Sequence, residues 1–390
     1  MTVSEKDGIV TIFLEGRIDS GNATQVEKEI LGLMDENPGK EIAFDAEKLD
    51  YISSAGLRVL LKVQKAKAKP VMISNVSGEV YDIFETTGFT QLLNVRKKYR
   101  QISVDGCEII GKGAYGTVYR LDEDTVVKKY ESPEALSMIE NEKKLAKLAF
   151  VAGIPTAISF DIVKIGNTFG SVFELLKAKT FNDLIKEKPS EADETIRKYT
   201  ELIKQVHSIS LAPGTLPSAK AEYLKKLDNI HPLLSDELYE RMKEFYDSIP
   251  EDDHVIHGDL QMKNIMLSGD EPMLIDMDTL SQGLPIFDLG GIYLAYIAFV
   301  EDDPENCKRF FGIDKEMADR IFYGVMDNYY REISEQEKKE ILEKVKIIGY
   351  TNFLNMLKPE KHEELAALRI RHTIEFLKKF FVERKDSYEF

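Results

Sequence analysis

Tryptophan is absent from this 390-residue chain, which has only two cysteines, Cys107 and Cys307, and six histidines. Two thiols cannot build a disulfide framework, so free thiols in a reducing cytoplasm are expected. His254 and His257 are the nearest histidine pair, yet nothing around them has metal-ligand spacing, so zinc is not expected. No apolar run is long enough to cross a bilayer; the longest, Leu289 to Val300, reads as a buried helix. No signal peptide is expected either, because Met1-Thr2-Val3-Ser4-Glu5-Lys6-Asp7 is polar and leads into a strand. Positive charge is in deficit, with 52 Lys+Arg against 68 Asp+Glu and a net charge of −16. Residues 1–100 hold 14 basic and 15 acidic side chains, so nearly all the excess lies in the remainder. Such a surface repels nucleic acid and anionic membranes, and neither is an expected partner. It suits a cationic small molecule, and equally a plain solubility surface. With 43% hydrophobic and 31% charged residues the chain should fold, with room for two or three domains.

The richest segment is His257-Gly258-Asp259-Leu260-Gln261-Met262-Lys263-Asn264, with Asp276 twelve residues beyond Asn264. Phosphoryl transfer needs one carboxylate to orient an attacking hydroxyl, and a carboxamide with a second carboxylate to hold Mg²⁺. Asp259 and Asn264 keep the Asp-to-Asn interval of the protein-kinase catalytic loop. Between Asn264 and Asp276 an apolar run, a turn-forming Ser-Gly-Asp-Glu-Pro cluster and a second apolar run predict a β-hairpin. Pairing Leu267 with Met273 is expected to bring Asn264 opposite Asp276, giving the sparse all-oxygen set that Mg²⁺ prefers.

Upstream, Gly111-Lys112-Gly113-Ala114-Tyr115-Gly116-Thr117-Val118 matches a Gly-x-Gly-x-x-Gly-x-Val loop that lets backbone approach phosphates. A dinucleotide site would need a helix next, whereas Thr117 to Leu121 continues as a strand. The following strand, Thr125 to Tyr130, supplies Lys128 for the nucleotide phosphates, with Lys129 as the fallback. Ser132-Pro133 starts a helix on which Glu142 is expected to pair with Lys128, and Glu140 is the weaker candidate. Glu174-Leu175-Leu176 follows the strand Ser171 to Phe173 and reads either as a hinge whose backbone meets the base or as an ordinary strand end.

These motifs make residues from about Cys107 onward resemble the aminoglycoside phosphotransferase and choline kinase branch of the protein-kinase-like superfamily. Ile275-Asp276-Met277-Asp278 stands where protein kinases have Asp-Phe-Gly, and Gly283 with Phe287-Asp288-Leu289 resembles the motif whose Asp anchors the catalytic loop. The resemblance implies a two-lobed α+β enzyme that moves the γ-phosphoryl of ATP or GTP, with Mg²⁺, onto a small hydroxylated molecule. It also implies an acceptor site built from helices, with Phe181–Leu211 and Tyr223–Ser248 fitting the insertion ahead of the loop. Further helices are read at Glu335–Ile347 and Glu363–Phe381 from their spacing. Lys263 is a departure, since the family usually has a small residue there; it is read as pointing to solvent or as contacting phosphate or substrate.

The first hundred residues alternate strands (Gly8–Leu14, Glu41–Asp45, Val71–Ile73) with helices (Asn22–Met34, from Leu57 to about Lys67, and Glu79–Thr87). Their order and the Ile52-Ser53-Ser54-Ala55-Gly56-Leu57-Arg58 segment resemble the STAS domain of anti-sigma-factor antagonists. That resemblance places a candidate phosphorylation site at Ser54 and implies a protein partner, although Ser53 replaces the usual acid. A serine here is also a natural helix cap. Arg96-Lys97-Lys98-Tyr99-Arg100 reads as a solvated linker. The expected architecture is therefore an α/β STAS domain at 1–100 followed by a kinase-like domain at 104–390, with lobes at about 104–176 and 177–390. Asp259 is the expected catalytic residue, and Asn264 and Asp276 the metal ligands. Gly111, Gly113, Gly116, Val118, Lys128, Glu142, Glu174 and Leu176 are the expected nucleotide contacts. Two other functions fit the same motifs: a partner-switching regulator with a nucleotide-binding domain, and a protein kinase acting on a STAS serine.

Overall fold

A computed structural model describes residues 1–113, 116–132, 135–176, 178–269, 271–357 and 363–383. The glycine-loop residues Ala114 and Tyr115, Pro133 of the expected helix start and Asp270 of the expected hairpin turn lie outside the described residues. Contacts divide the chain into two compact units. One is Met1–Ser103 with Ile162–Asn167; the other is Val104–Asp161 with Thr168–Phe390.

The first unit is a layer of helices on a sheet. Its elements are β1 (Thr2–Lys6), β2 (Ile9–Ile18), α1 (Ala23–Glu36), β3 (Glu41–Ile52), α2 (Ser54–Lys65), β4 (Met72–Val76), α3 (Gly78–Thr86) and β5 (Asn94–Lys97), with β6 (Arg100–Gln101) after them. Strands run in the order β1-β2-β3-β4-β5. A hairpin pairs β1 antiparallel to β2, and each later strand returns parallel through a helix, the βαβ connection that parallel pairing requires. Alternation along β2 sends Val10, Ile12 and Leu14 inward, where they meet Phe44, Ile73, Leu60, Val63 and Phe84. The segment Arg96–Arg100 is not a linker. Arg96 and Lys97 form the sheet's last strand and Lys98 reaches Glu47 at 2.8 Å, so ladder pairing absorbs residues whose charge read as solvated. Strand β1 is likewise polar along its whole length, and its pairing with β2 could not be read from apolar alternation.

In the second unit β7 (Ile109–Lys112), β8 (Gly116–Arg120) and β9 (Thr125–Tyr130) precede α4 (Leu136–Val151). After β10 (Asp161–Ile165), which from Ile162 onward belongs to the first unit, come β11 (Thr168–Glu174) and β12 (Lys179–Thr180). Strands β11, β9, β8 and β7 lie side by side, each antiparallel to the next. Helices α5 (Phe181–Glu187), α6 (Ala192–His207), α7 (Ala219–Ile230) and α8 (Asp236–Ser248) follow, where the resemblance implied a helical insertion. Short strands β13 (Val255–Ile256), β14 (Ile265–Ser268), β15 (Glu271–Leu274) and β16 (Ser281–Gln282) carry the loop motifs. The rest is helical: α9 (Ile286–Tyr293), a π-turn at Leu294–Ala298, α10 (Phe299–Glu301), α11 (Asn306–Phe311), α12 (Lys315–Tyr329), α13 (Glu335–Met356) and α14 (Glu363–Lys378). The apolar run Leu289 to Val300 is thus a buried helix, wrapped by α12 and α13 in a core rich in Phe and Tyr. Among the described residues no helix is long and apolar enough to cross a membrane.

The serine pair at the start of α2 divides its roles. Ser53 is the N-cap, its Oγ accepting the Ala55 N–H at 3.2 Å, while Ser54 is the first helical residue and is exposed. We expect Ser53→Ala to lower stability by about 1 kcal/mol, the usual value of a lost cap. Ser54→Ala should change it by no more than a few tenths. Chemical denaturation of the full chain, followed by hydrogen exchange in α2, checks the pair.

Candidate active site

Asp288 organises the loop that carries Asp259. It stands in the first turn of α9, fully buried. Its two carboxylate oxygens accept successive backbone N–H groups, from His257 at 2.8 Å and Gly258 at 2.6 Å. His207, at the end of α6, adds a third bond from Nε2 at 3.0 Å, and Nδ1 of the same ring meets the Tyr329 hydroxyl at 2.9 Å. Burial alone would push the Asp288 carboxyl up, but His207 and the backbone amides hold it below the usual carboxylate range. Gly258 has φ +86°, and an added Cβ would lie 2.7 Å from the Thr279 carbonyl, so only glycine fits this turn. Thr279 in turn donates to the His257 carbonyl at 2.7 Å, and the His257 imidazole contacts the Ile275 carbonyl at 3.2 Å.

This anchored turn presents Asp259. Two side-chain amides hold its carboxylate: Gln261 Nε2 at 3.0 and 3.3 Å, and Asn264 Nδ2 at 2.8 Å. Burial pushes the Asp259 carboxyl above its ordinary range, while those amides pull the other way. Asn264 also gives its amide N–H to the Asp259 carbonyl at 3.0 Å, which leaves the amide oxygen as its ligand atom.

The hairpin carrying Asp276 differs from expectation by one residue of register. Leu267 pairs with Pro272 and Ser268 with Glu271, so the loop has two residues, the length that hairpins favour. Pro272 is accommodated because β15 is the edge of its sheet. Asn264 therefore faces Ile275, whose N–H it receives at 2.9 Å, and not Asp276. Asp276 lies past the ladder in a left-handed conformation (φ 59°, ψ 64°), a strained state for a non-glycine residue. From there its carboxylate accepts from Lys128 Nζ at 2.5 Å.

Lys128 is drawn in by strand alternation. It opposes Val118 on β8 and Ser171 on β11, and consecutive Lys129 points to the other face of the sheet. Glu142, buried on α4, sits 3.4 Å from Lys128 Nζ and accepts the Tyr130 hydroxyl through its other oxygen, whereas Glu140 is exposed. Burial works against the charge on Lys128, yet Asp276 and Glu142 hold the ammonium well above the ordinary lysine range. On the neighbouring strand Gly116 lies so close to the Lys129 carbonyl that any Cβ would collide with it. Gly113 N–H bonds the Gly116 carbonyl at 2.9 Å, and Gly111 pairs with Val118. Glu174 ends β11, and Leu175 gives its N–H to Asp124 at 2.7 Å, so Leu175 itself has no N–H to offer a base; Leu176 follows half-buried.

Several groups were not among the expected site residues. Asp278 is pushed up to about 6 by burial, then by the Glu142 charge, with Asp276 and Asp259 adding to it. Its signal was its place two residues after Asp276. Gln261 and His207 gave none, because only the folded backbone brings them to Asp259 and Asp288. The Lys263 side chain is half-buried: its ammonium bonds the Phe310 carbonyl and lies 4.1 Å from that residue's ring centre. Among the described residues no three His, Cys, Asp or Glu side chains form a ready metal cage. What the site offers is Asn264 beside Asp259, Asp276 and Glu142 on the Lys128 ammonium, and Asp278 within electrostatic reach of these charges. That donor set is hard and negative in excess, which fits a Mg²⁺ completed by substrate oxygens.

The comparisons divide along the chain. Residues 106–316 match the family described as "Phosphotransferase enzyme family", and residues 1–102 match the STAS domain family. The amino-terminal part is 34% identical over 98 residues to a Bordetella bronchiseptica protein provisionally named anti-sigma factor antagonist BtrV, covering 24% of this chain and 84% of that one. Among solved structures, a thermostable mutant of aminoglycoside phosphotransferase APH(4)-Ia in ternary complex with AMP-PNP and hygromycin B aligns with a TM-score of 0.51 at 11% identity, over 70% of this chain and 93% of that one. An apo form of a thermostable mutant of the same enzyme gives 0.50 at 10% identity, over 70% and 94%. These likenesses show a kinase-like fold following the α/β unit.

Because the folded Asp288 carboxyl is held down, its contribution to stability is complete above the unfolded value of about 3.9. That contribution is lost as pH falls through the lower folded value. Asp288→Asn should cost on the order of 3 kcal/mol at neutral pH, as for one partner removed from a buried charged network. It should also flatten the acid limb of the stability curve. Urea denaturation between pH 3 and pH 7 reads both effects.

Proposed function

The chain belongs to the phosphotransferase enzyme family over residues 106–316 and carries a STAS domain over residues 1–102, and from that premise we propose an ATP- or GTP-dependent kinase of small molecules. In this reading Asp259 orients the acceptor hydroxyl and takes its proton as the phosphoryl group arrives. Lys128, set by Glu142, receives the nucleotide phosphates, and the Gly111, Gly113 and Gly116 loop with Val118 covers them. The backbone of Glu174 and Leu176, on either side of the committed Leu175 amide, meets the base. Asn264 and Asp276 would hold Mg²⁺, which when bound neutralises charge on the transferring phosphoryl group. The observation that carries the reading is Asp259, held by two amides, within electrostatic reach of Asp276, which with Glu142 pairs Lys128. The fold neighbours hold AMP-PNP or ADP together with hygromycin B, which supports a nucleotide and a hydroxyl-bearing acceptor here. The carboxylates around a single ammonium favour an acceptor that is itself cationic, such as an aminosugar or amino alcohol.

A thermal-shift titration of the full chain with ATP and GTP, with and without Mg²⁺, is the first test. Stabilisation that needs Mg²⁺ is expected; none by either nucleotide at millimolar concentration overturns the reading. Turnover against a panel of aminoglycosides, amino alcohols and sugars then identifies the acceptor. On that acceptor Asp259→Asn should lose about 10²–10⁴-fold in kcat, the range of a lost acid–base group, with nucleotide affinity kept. Asp276→Asn should weaken Mg²⁺-nucleotide binding as well.

A second reading has its own support in the exposure of Ser54 at the start of α2 and in the likeness to the anti-sigma factor antagonist. Phosphate there would sit in the helix dipole field and add nearly two negative charges to a docking surface. Ser54→Asp should then weaken capture of a protein partner that Ser54→Ala retains, and mass spectrometry of the native protein tests whether Ser54 is phosphorylated. Unmodified Ser54 and unaltered capture by both variants would leave the first unit without a phospho-switch.

A further inference from the structure

Between Asp259 and Asn264 the backbone is gripped by two tyrosines that no motif announces. Tyr199 on α6 donates its hydroxyl to the Leu260 carbonyl, and Tyr296 accepts the Met262 N–H at 3.0 Å. Both side chains are completely buried. The two bonded backbone groups flank Gln261, the residue whose amide holds Asp259. Met262 opens the tight turn Met262–Asn264, closed by the Asn264 N–H on the Gln261 carbonyl at 2.9 Å. Both amides that orient the Asp259 carboxylate therefore hang from backbone whose position these hydroxyls set.

The fold goes out of its way to place them. Tyr296 lies in the π-turn Leu294–Ala298, where one extra residue per turn re-aims the side chain of an otherwise regular helix. Its ring stacks on Phe311 at 4.9 Å and 23°, which fixes the hydroxyl in space. A buried hydroxyl costs free energy unless it is bonded, and phenylalanine would fill either space without that cost. The hydroxyls are retained where a catalytic-loop carbonyl and N–H would otherwise be buried without partners.

We propose that Tyr199 and Tyr296 are positioning residues, a paired clamp that sets Gln261 and Asn264 so that both amides point the Asp259 carboxylate at the acceptor. As a part of the reaction this rests on the phosphotransferase reading; as a statement about Asp259 it does not. Displacement of a reacting group by an ångström costs about 10²-fold in rate. Tyr296→Phe and Tyr199→Phe should accordingly lower kcat by about 10- to 100-fold, with a smaller effect on KM for the Mg²⁺-nucleotide through Asn264.

The test uses the full chain and two readouts. The first is Mg²⁺-dependent ATP hydrolysis, with water as the acceptor. The second is the side-chain amide NMR signals of Gln261 and Asn264 in ¹⁵N-labelled protein, assigned by their loss in Gln261→Glu and Asn264→Asp. In each Phe variant these signals should shift and exchange faster with solvent, since the backbone that carries both amides loosens. Phe311→Leu, which removes the ring behind Tyr296 and leaves both hydroxyls, should give a smaller change in the same direction and stands in if a Phe variant does not fold. Tyr246→Phe is the control: its hydroxyl is buried too and has no bond to the loop, so both readouts should stay at the wild-type value. If the tyrosines only fill the core, their Phe variants melt at altered temperature while kcat and the two amide signals stay in place, and the proposal is overturned. If the unaltered protein neither binds nor hydrolyses ATP, the phosphotransferase reading falls, and the amide signals, which need no nucleotide, still decide the clamp.

Discussion

Two adjacent backbone N–H groups of the loop that carries Asp259, those of His257 and Gly258, point into the protein and need a buried acceptor. Asp288 is that acceptor, and much of the second unit is arranged to let a carboxylate exist there. A buried charge is tolerated only when fully hydrogen-bonded. The third bond comes from His207, which ties α6 to α9, and the Tyr329 hydroxyl behind His207 ties in α12. One carboxylate thus fixes the turn at Gly258, the direction in which Asp259 emerges and the mutual placement of three helices. Phe and Tyr packing fills the space between them.

The site built on this anchor concentrates negative charge. Asp276 and Glu142 share the ammonium of Lys128, with Asp278 and Asp259 close enough to feel the same charges, and burial drives the Asp259 and Asp278 carboxyls upward. Such a set is unfavourable by itself, and a further cation would relieve it. The strained backbone at Asp276 belongs to the same economy: a ladder in register would have pointed the residue away, and the left-handed turn brings its carboxylate back to Lys128. Strain of this kind persists only where the surroundings over-determine it. Here β14, the α4 contact with the following turn and the salt bridge do so together.

Much of this was legible in the chain itself. Apolar runs located several strands of both units, helical spacing located α13 and α14, and the family resemblance pointed to the helices α5 through α8. The intervals among Gly111, Lys128, Asp259, Asn264 and Asp276 marked residues that phosphotransfer chemistry would use in that order. The pairing of Arg96 and Lys97 within β5 was hidden, because a basic residue says nothing about whether its backbone is paired, and the Lys263 contact with the Phe310 backbone carbonyl had no local signal. The hairpin register depended on a single residue of loop length, a difference that turn composition does not encode.

What the sequence determined by itself was therefore local: which segments alternate, which residues bear the carboxylates, amides and ammonium, and how many positions separate them along the chain. Tertiary structure alone decided which of two adjacent lysines faces the site, because strand pairing sends Lys128 and Lys129 to opposite faces. It also chose Glu142 over Glu140 by burying one and exposing the other. Gln261 beside Asp259, His207 beside Asp288, and Tyr199 with Tyr296 around Leu260 and Met262 are likewise its work. These pairs lie far apart in the chain or within a single turn, and no periodicity connects them; packing distance does.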